Sequence, residues 1–167
     1  ADATGPTPSY TYADPGIYTV TLTATDDAGN TDTDTLTVTV EDRTAPTAEA
    51  GPDQAVSQDT AVDFDGTASS DNVGVTSYEW DFDRDSTTDA TGPTPSYTYT
   101  AAGSYTVTLT VSDDAGNTDT DTLTVTVGDT TPPTAEAGPD QTVDEGTTVN
   151  FDGSSSSDNV GIDSYQW

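Results

Sequence analysis

The chain has 167 residues, 31 of them acidic against two arginines, with no lysine, histidine or cysteine, for a net charge of −29. Phosphate binding needs a basic footprint, so nucleic acid is excluded as a partner and an anionic membrane surface is disfavoured. No disulfide staples the fold, no apolar run reaches the length of a membrane-spanning helix, and no Asn-x-Ser/Thr acceptor occurs.

The first element, "TVTLTATDDAGNTDTDTLTVTV" from Thr19 to Val40, returns from Thr106 to Val127 with only Val111 for Ala24 and Ser112 for Thr25. Displacing the chain by 87 residues aligns its first 80 residues with its last 80 without a gap, and 59 of those pairs are identical. The chain is therefore a tandem array. It divides into the back part of a repeat (1–43), one whole repeat (44–130) and the front part of another (131–167). Both ends read as falling inside a repeat, so the expectation is either a window of a longer continuous array, the reading preferred, or separate chains in which 131–167 combines with 1–43 of the next unit into a composite domain.

Within the whole repeat, "AVDFDG" places Val62 and Phe64 on one face, and "SYEWDFD" sets Tyr78, Trp80 and Phe82 against Glu79, Asp81 and Asp83. "PSYTYT" alternates Tyr97 and Tyr99. "SYTVTLTV" puts Tyr105, Val107, Leu109 and Val111 opposite Thr106, Thr108 and Thr110. "DDAGN", Asp113 to Asn117, is a turn cluster, and "DTLTVTV" carries Leu123, Val125 and Val127 inward. Strict alternation is the mark of half-buried antiparallel strands, and it separates this chain from a disordered one of equal polarity. No stretch carries a helical period. Turns at regular spacing predict an all-β sandwich of about seven antiparallel strands in an 87-residue repeat. The phase directs Trp80, Tyr97 and Tyr99 to the core rather than to a sugar-stacking surface.

Carboxylates are the only abundant chemistry. Asp81, Asp83, Asp85 and Asp89 alternate in one loop, as the oxygen-only shell of Ca²⁺ prefers. The spacing is similar to the front of an EF-hand loop, but Ser86 stands where the glycine belongs and no glutamate follows at the twelfth position. The run reads either as a Ca²⁺ site or as a solvated acidic loop. Asp71, with Asn72 in "SSDNVG", either completes such a site or makes an Asx turn. Asp113, Asp114, Asn117 and Asp119 offer the same two readings, the hairpin turn foremost. No His or Lys is present as a base and no partner activates a serine or threonine, so no catalytic residue is expected.

"DPGIYTV", Asp14 to Val20, fits the Asp-x-Gly-x-Tyr corner of immunoglobulin-like folds, with Val20 where antibody domains carry cysteine; "AAGSYTV" keeps Gly103, Tyr105 and Val107. Trp80 is then the central tryptophan, expected between Phe64 and Val107. Together with "PTAEAGPDQAV", "FDGTASSDNVGVTSYEWDFD" and "PSYTYTAAGSYTVTLTVSDDAG", these residues resemble the PKD (polycystic kidney disease) domain over the entire chain. The departure is at Trp80 to Ser86, where the family's usual Trp-x-Phe-Gly-Asp-Gly turn loses its glycines.

The resemblance implies an extracellular or cell-surface module, often in tandem, in surface-layer proteins, adhesins and secreted hydrolases, with Ca²⁺ sites or weak polymer binding in some members. The absence of lysine beside abundant Asp, Glu and Thr resembles proteins of extreme halophiles, with a calcium-rich extracellular setting as the alternative. At 1 M salt the Debye length is about 3 Å, and like-charge repulsion is mostly screened. The expected function is a non-catalytic structural array: a stalk, surface-layer component or filament whose partners are neighbouring copies of itself, end to end. The alternative is a spacer or adhesion module of a larger hydrolase or adhesin, with polysaccharide or another cell surface as partner.

Overall fold

The computed structural model describes residues 2–167, which form strands and no helix. Strand β1 (Gly16–Thr25) pairs antiparallel with β2 (Thr31–Val40), Gly16 opposite Val40 and Thr25 opposite Thr31. The connection is closed by Asp26, whose carboxylate accepts from the Ala28 and Asn30 amides (2.9 and 2.8 Å) and from Asn30 Nδ2 at 2.7 Å. Gly29 supplies the left-handed residue of this turn, with φ 84°.

The whole repeat contributes seven strands: β3 (Gln54–Ser57), β4 (Ala61–Asp63), β5 (Val75–Asp81), β6 (Ala90–Thr91), β7 (Ser96–Thr98), β8 (Gly103–Asp113) and β9 (Thr118–Gly128). Five of them form one sheet in the order β3-β9-β8-β5-β6, and β4 and β7 form the facing pair. The antiparallel expectation holds for every ladder except one, because β3 joins β9 in parallel, Gln54 opposite Val125. Four residues entering along the sheet edge after a proline-containing junction arrive in the direction of β9, and no hairpin turn reverses them.

Val107, Leu109 and Val111 of β8 are buried, as are Leu123, Val125 and Val127 of β9, while the intervening threonines face outward. Trp80 is completely buried, and its ring lies 5.4 Å from that of Phe64. Its cross-strand partner is Leu109 rather than Val107, which sits two residues along the same face. The indole N–H donates to the Gly92 carbonyl at 3.0 Å, so the one polar atom of this side chain is satisfied inside the core. Gly66 fits closely under the core: a Cβ there would stand 3.1 Å from Leu109 Cδ2 and 3.2 Å from Trp80 Cζ2, so both side chains would have to give. The corner forms in both copies, Tyr18 Oη donating to the Asp14 carbonyl at 2.8 Å and Tyr105 Oη to that of Ala101 at 2.9 Å. Tyr97 departs from the core expectation, since it stacks on Phe82 at 4.7 Å but lies at the rim and is over a third exposed. β7 is an edge strand, and nothing beyond it covers the ring's outer face.

The first outer part keeps the paired β1–β2 hairpin, while 131–167 keeps local structure without strands. The bridge between Thr47 and Ser70 recurs between Thr134 and Ser157. The counterparts of β3, β4 and β5 within 131–167 are not strands, because the ladders that would pair them are absent there.

Candidate metal centre and repeat junction

Two groups of carboxylates converge. In the first, Asp81, Asp83 and Asp89 bring oxygens within 4.8 Å of one another, and Asp85 is outside the group. The loop is folded on its own backbone. Asp81 accepts from Arg84 and Ser86 amides at 2.6 and 2.9 Å, and Asp89 from the Phe82 amide at 2.7 Å. Asp85 accepts from the Thr87 amide at 2.7 Å. With the family's glycines missing, Arg84 and Ser86 take left-handed conformations at φ 65° and 70°, held by these Asp81 contacts. The carboxylates thus serve as the turn's internal acceptors.

Asp71 does not join that loop. It makes the Asx turn, Oδ2 accepting from the Val73 and Gly74 amides at 2.8 and 2.9 Å. Its other oxygen points to a second group, in which Asp42, Asp71 and Asp113 again lie within 4.8 Å. Asp42 belongs to the segment after β2, Asp71 to the loop before β5, and Asp113 to the end of β8. Asp42 Oδ2 and Asp71 Oδ1 are shielded from solvent and have no hydrogen-bond partner. Burial opposes the charge of Asp113, but hydrogen bonds from the Asn117 side chain and amide, with Gly116 and Ala115, hold it below the ordinary aspartate range. Three carboxylates held this close repel unless a cation or a proton intervenes. Among the described residues, Arg43 donates to Glu41 at 3.3 Å at the surface and not into this group. The donor set, all hard oxygen with two orphan atoms, fits Ca²⁺.

The same residues fasten the junction. Asn72 Nδ2 donates to Asp42 at 3.3 Å, and 87 residues on Asn159 Nδ2 donates to Asp129 at 3.1 Å. Asp158 repeats Asp71: it accepts from the Val160 and Gly161 amides at 2.9 Å, and its Oδ1 is likewise buried and without a partner. Those backbone contacts, Gly161 first, lower its pKa. Of the two sequence readings of Asp71, the Asx turn is the one formed; its carboxylate meets Asp42 and Asp113 rather than the Asp81–Asp89 loop, and sequence reasoning left Asp42 out. The signal was available as the recurrence of Asp42, Asp71 and Asn72 at positions 129, 158 and 159.

The family model for the PKD domain matches residues 1–40, 43–127 and 130–167. Among curated proteins, the mouse (Mus musculus) dyslexia-associated protein KIAA0319-like protein is 39% identical over 69 residues, 40% of this chain. The matched region spans 7% of that protein's length. Among solved structures, the PKD1 domain of the Vibrio cholerae metalloprotease PrtV is 42% identical, covering 52% of this chain and all of that domain, with a TM-score of 0.41. A structure described as the basis for promiscuous specificity of carbohydrate-binding modules from the β-sandwich superfamily is 29% identical, covering 57% of this chain and 39% of that one, with a TM-score of 0.47.

Proposed function

The chain belongs to the PKD domain family, and from that premise we propose that it is a non-catalytic, extracellular structural array working in high salt, a stalk, surface-layer component or fibre. The PKD domain is a non-catalytic immunoglobulin-like module, and such domains occur in extracellular and cell-surface proteins. The observation that carries the reading is the junction contact made twice, Asp42 to Asn72 and Asp129 to Asn159. A contact repeated in register ties each linker to its following domain in the same way, which supports an element of defined length. Prolines in "EDRTAPTAEAGP" and "GDTTPPTAEAGP" stiffen the joint further by restricting their own φ and their predecessors. Ca²⁺ on the Asp42, Asp71 and Asp113 oxygens would neutralise the joint and bind linker to domain. Asp81, Asp83, Asp85 and Asp89 are assigned to shaping their own turn.

The test is small-angle scattering in 2 M NaCl. One narrow distribution of elongated particles is expected, and it broadens in the double variant Asn72→Ala/Asn159→Ala. Freely pivoting wild-type chains would overturn the reading. For the ion, millimolar Ca²⁺ against molar NaCl raises the Tm of wild type and not of Asp71→Asn; an equal response in both removes Ca²⁺ from the joint.

A further inference from the structure

Pro93 and Pro95 bracket Thr94, as Pro6 and Pro8 bracket Thr7 87 residues earlier, and no other threonine has proline on both sides. In the whole repeat these prolines turn their carbonyls toward the facing strand. The Gly66 amide donates to Pro93 at 2.8 Å and the Phe64 amide to Pro95 at 2.9 Å. Backbone groups of an extended segment alternate in direction, so those of Thr94 point the other way, off the open edge of β7. Side chains alternate too: Tyr99 is buried and Pro95 half-buried, while Thr94, Ser96 and Thr98 are exposed, a row of three hydroxyls on the outward face. Neither the hydroxyl nor the amide of Thr94 has a hydrogen-bond partner among the described residues. An uncharged open edge is a template for stray strands unless something blunts it. β7 lies in a run from Ala90 to Ser112 without one charged residue, although 31 acids are spread over the chain. The prolines do not protect this edge, because the N–H groups they lack belong to the side that faces β4.

We propose that Thr94 is an acceptor of O-linked sugar, with Thr7 as its repeat, and that the glycan is what covers the β7 edge. The hydroxyl oxygen attacks the anomeric carbon of a sugar activated as its nucleotide or lipid phosphate. The new glycosidic C–O bond replaces the bond from that carbon to phosphate, which leaves with the bonding pair, and the hydroxyl proton passes to a base of the transferase. A segment already extended, with its outer backbone groups unpaired, enters a transferase groove as an added strand without unfolding the sandwich. The threonines of β8 do not offer this. That strand is paired on both sides, by β5 and β9, and its Thr106, Thr108 and Thr110 are half-buried against Thr124, Thr122 and Thr120 opposite. Threonine and serine among prolines is also the composition of O-glycosylated stalks. A neutral, hydroxyl-rich cover keeps the edge solvated and adds nothing to a charge of −29.

The site is independent of the array reading, since the joints and this edge share no residue. With no lysine present, trypsin cuts after Arg43 and Arg84 and frees 44–84 from the segments that carry Thr7 and Thr94. In protein isolated from its native source, the peptide beginning at Asp85 is expected to exceed its sequence mass by whole sugar residues, as is the one carrying Thr7, with 44–84 unmodified. Electron-transfer fragmentation is expected to place the excess on Thr94, and mild alkali to release it by β-elimination, leaving that residue one water lighter. Thr94→Ala, made in the same source, is expected to remove the excess from the peptide beginning at Asp85 and to leave the one on the Thr7 peptide in place. A bare sequence mass for the Thr94 peptide of the native protein would overturn the proposal. So would an excess sited on the ladder threonines of β8 or β9, or one that survives Thr94→Ala.

Discussion

Asp113 is the residue whose environment the charge of the chain makes most informative. Its oxygens accept from the Asn117 amide at 2.8 Å and from Asn117 Nδ2 at 2.7 Å, which closes the β8–β9 turn, and its pKa is lowered in spite of burial. A folded-state pKa below the ordinary aspartate value means that ionised Asp113 stabilises the fold above that value, and that this contribution is lost as pH falls through the lowered pKa. Asp113→Asn keeps the shape and removes the charge. The variant is therefore expected to be less stable than wild type at pH 6, with the gap in denaturation midpoint closing as the pH falls through the lowered pKa. A gap independent of pH would remove the charge from the explanation. The residues of the core were legible in the sequence, since Trp80, Phe64, Leu109 and the corner tyrosines follow from period two and one turn pattern. The grouping of Asp42 with Asp71 and Asp113 was not, because alternation says which face a residue takes and not which loops meet at one pole of a sandwich.

Elements show the same division between local and non-local causes. β8 and β9 were readable end to end, because each residue's burial follows its own parity and a turn cluster joins them. β3 was not, since four residues pairing in parallel depend on an edge supplied 71 residues later. The segment leading to it, 47–50, is not a strand, and beyond the Thr47 bridge to Ser70 its amides are satisfied by side chains: Asp119 serves Ala48, Ser69 Oγ serves Glu49 and Asp121 serves the buried Ala50. These aspartates continue the inward phase of Leu123, Val125 and Val127 along β9, which turns their carboxylates toward that segment. Asp121→Ala leaves the Ala50 amide without its charged acceptor, which costs about 1.5–3 kcal/mol. Chemical denaturation is the check, with Asp114→Ala in the adjacent turn as a comparison expected to change stability by less than about 0.5 kcal/mol. Equal effects of the two substitutions would show that general charge removal, and not this contact, sets the outcome.

At the scale of the molecule, a net charge of −29 opposes every joint and every sandwich at once. The outward faces of β1, β2, β8 and β9 meet the problem partly by composition, with uncharged β-branched threonine at most positions, and the acids gather in turns and junctions. What remains must be screened. Raising salt from 0.15 M to 1 M shortens the Debye length from about 8 Å to about 3 Å, less than the spacing of most surface carboxylates. The Tm is therefore expected to climb steeply over that range and to level off above it. NaCl and KCl should act alike, because screening depends on ionic strength and not on the identity of a monovalent cation. Neutralising exposed turn aspartates, as in Asp27→Asn with Asp114→Asn, should raise the Tm in dilute buffer and leave it unchanged at 2 M salt. A Tm indifferent to salt would mean that the repulsion is already relieved by bound cations, and full stability in dilute buffer with Ca²⁺ alone would identify the junction carboxylates as the place where that happens.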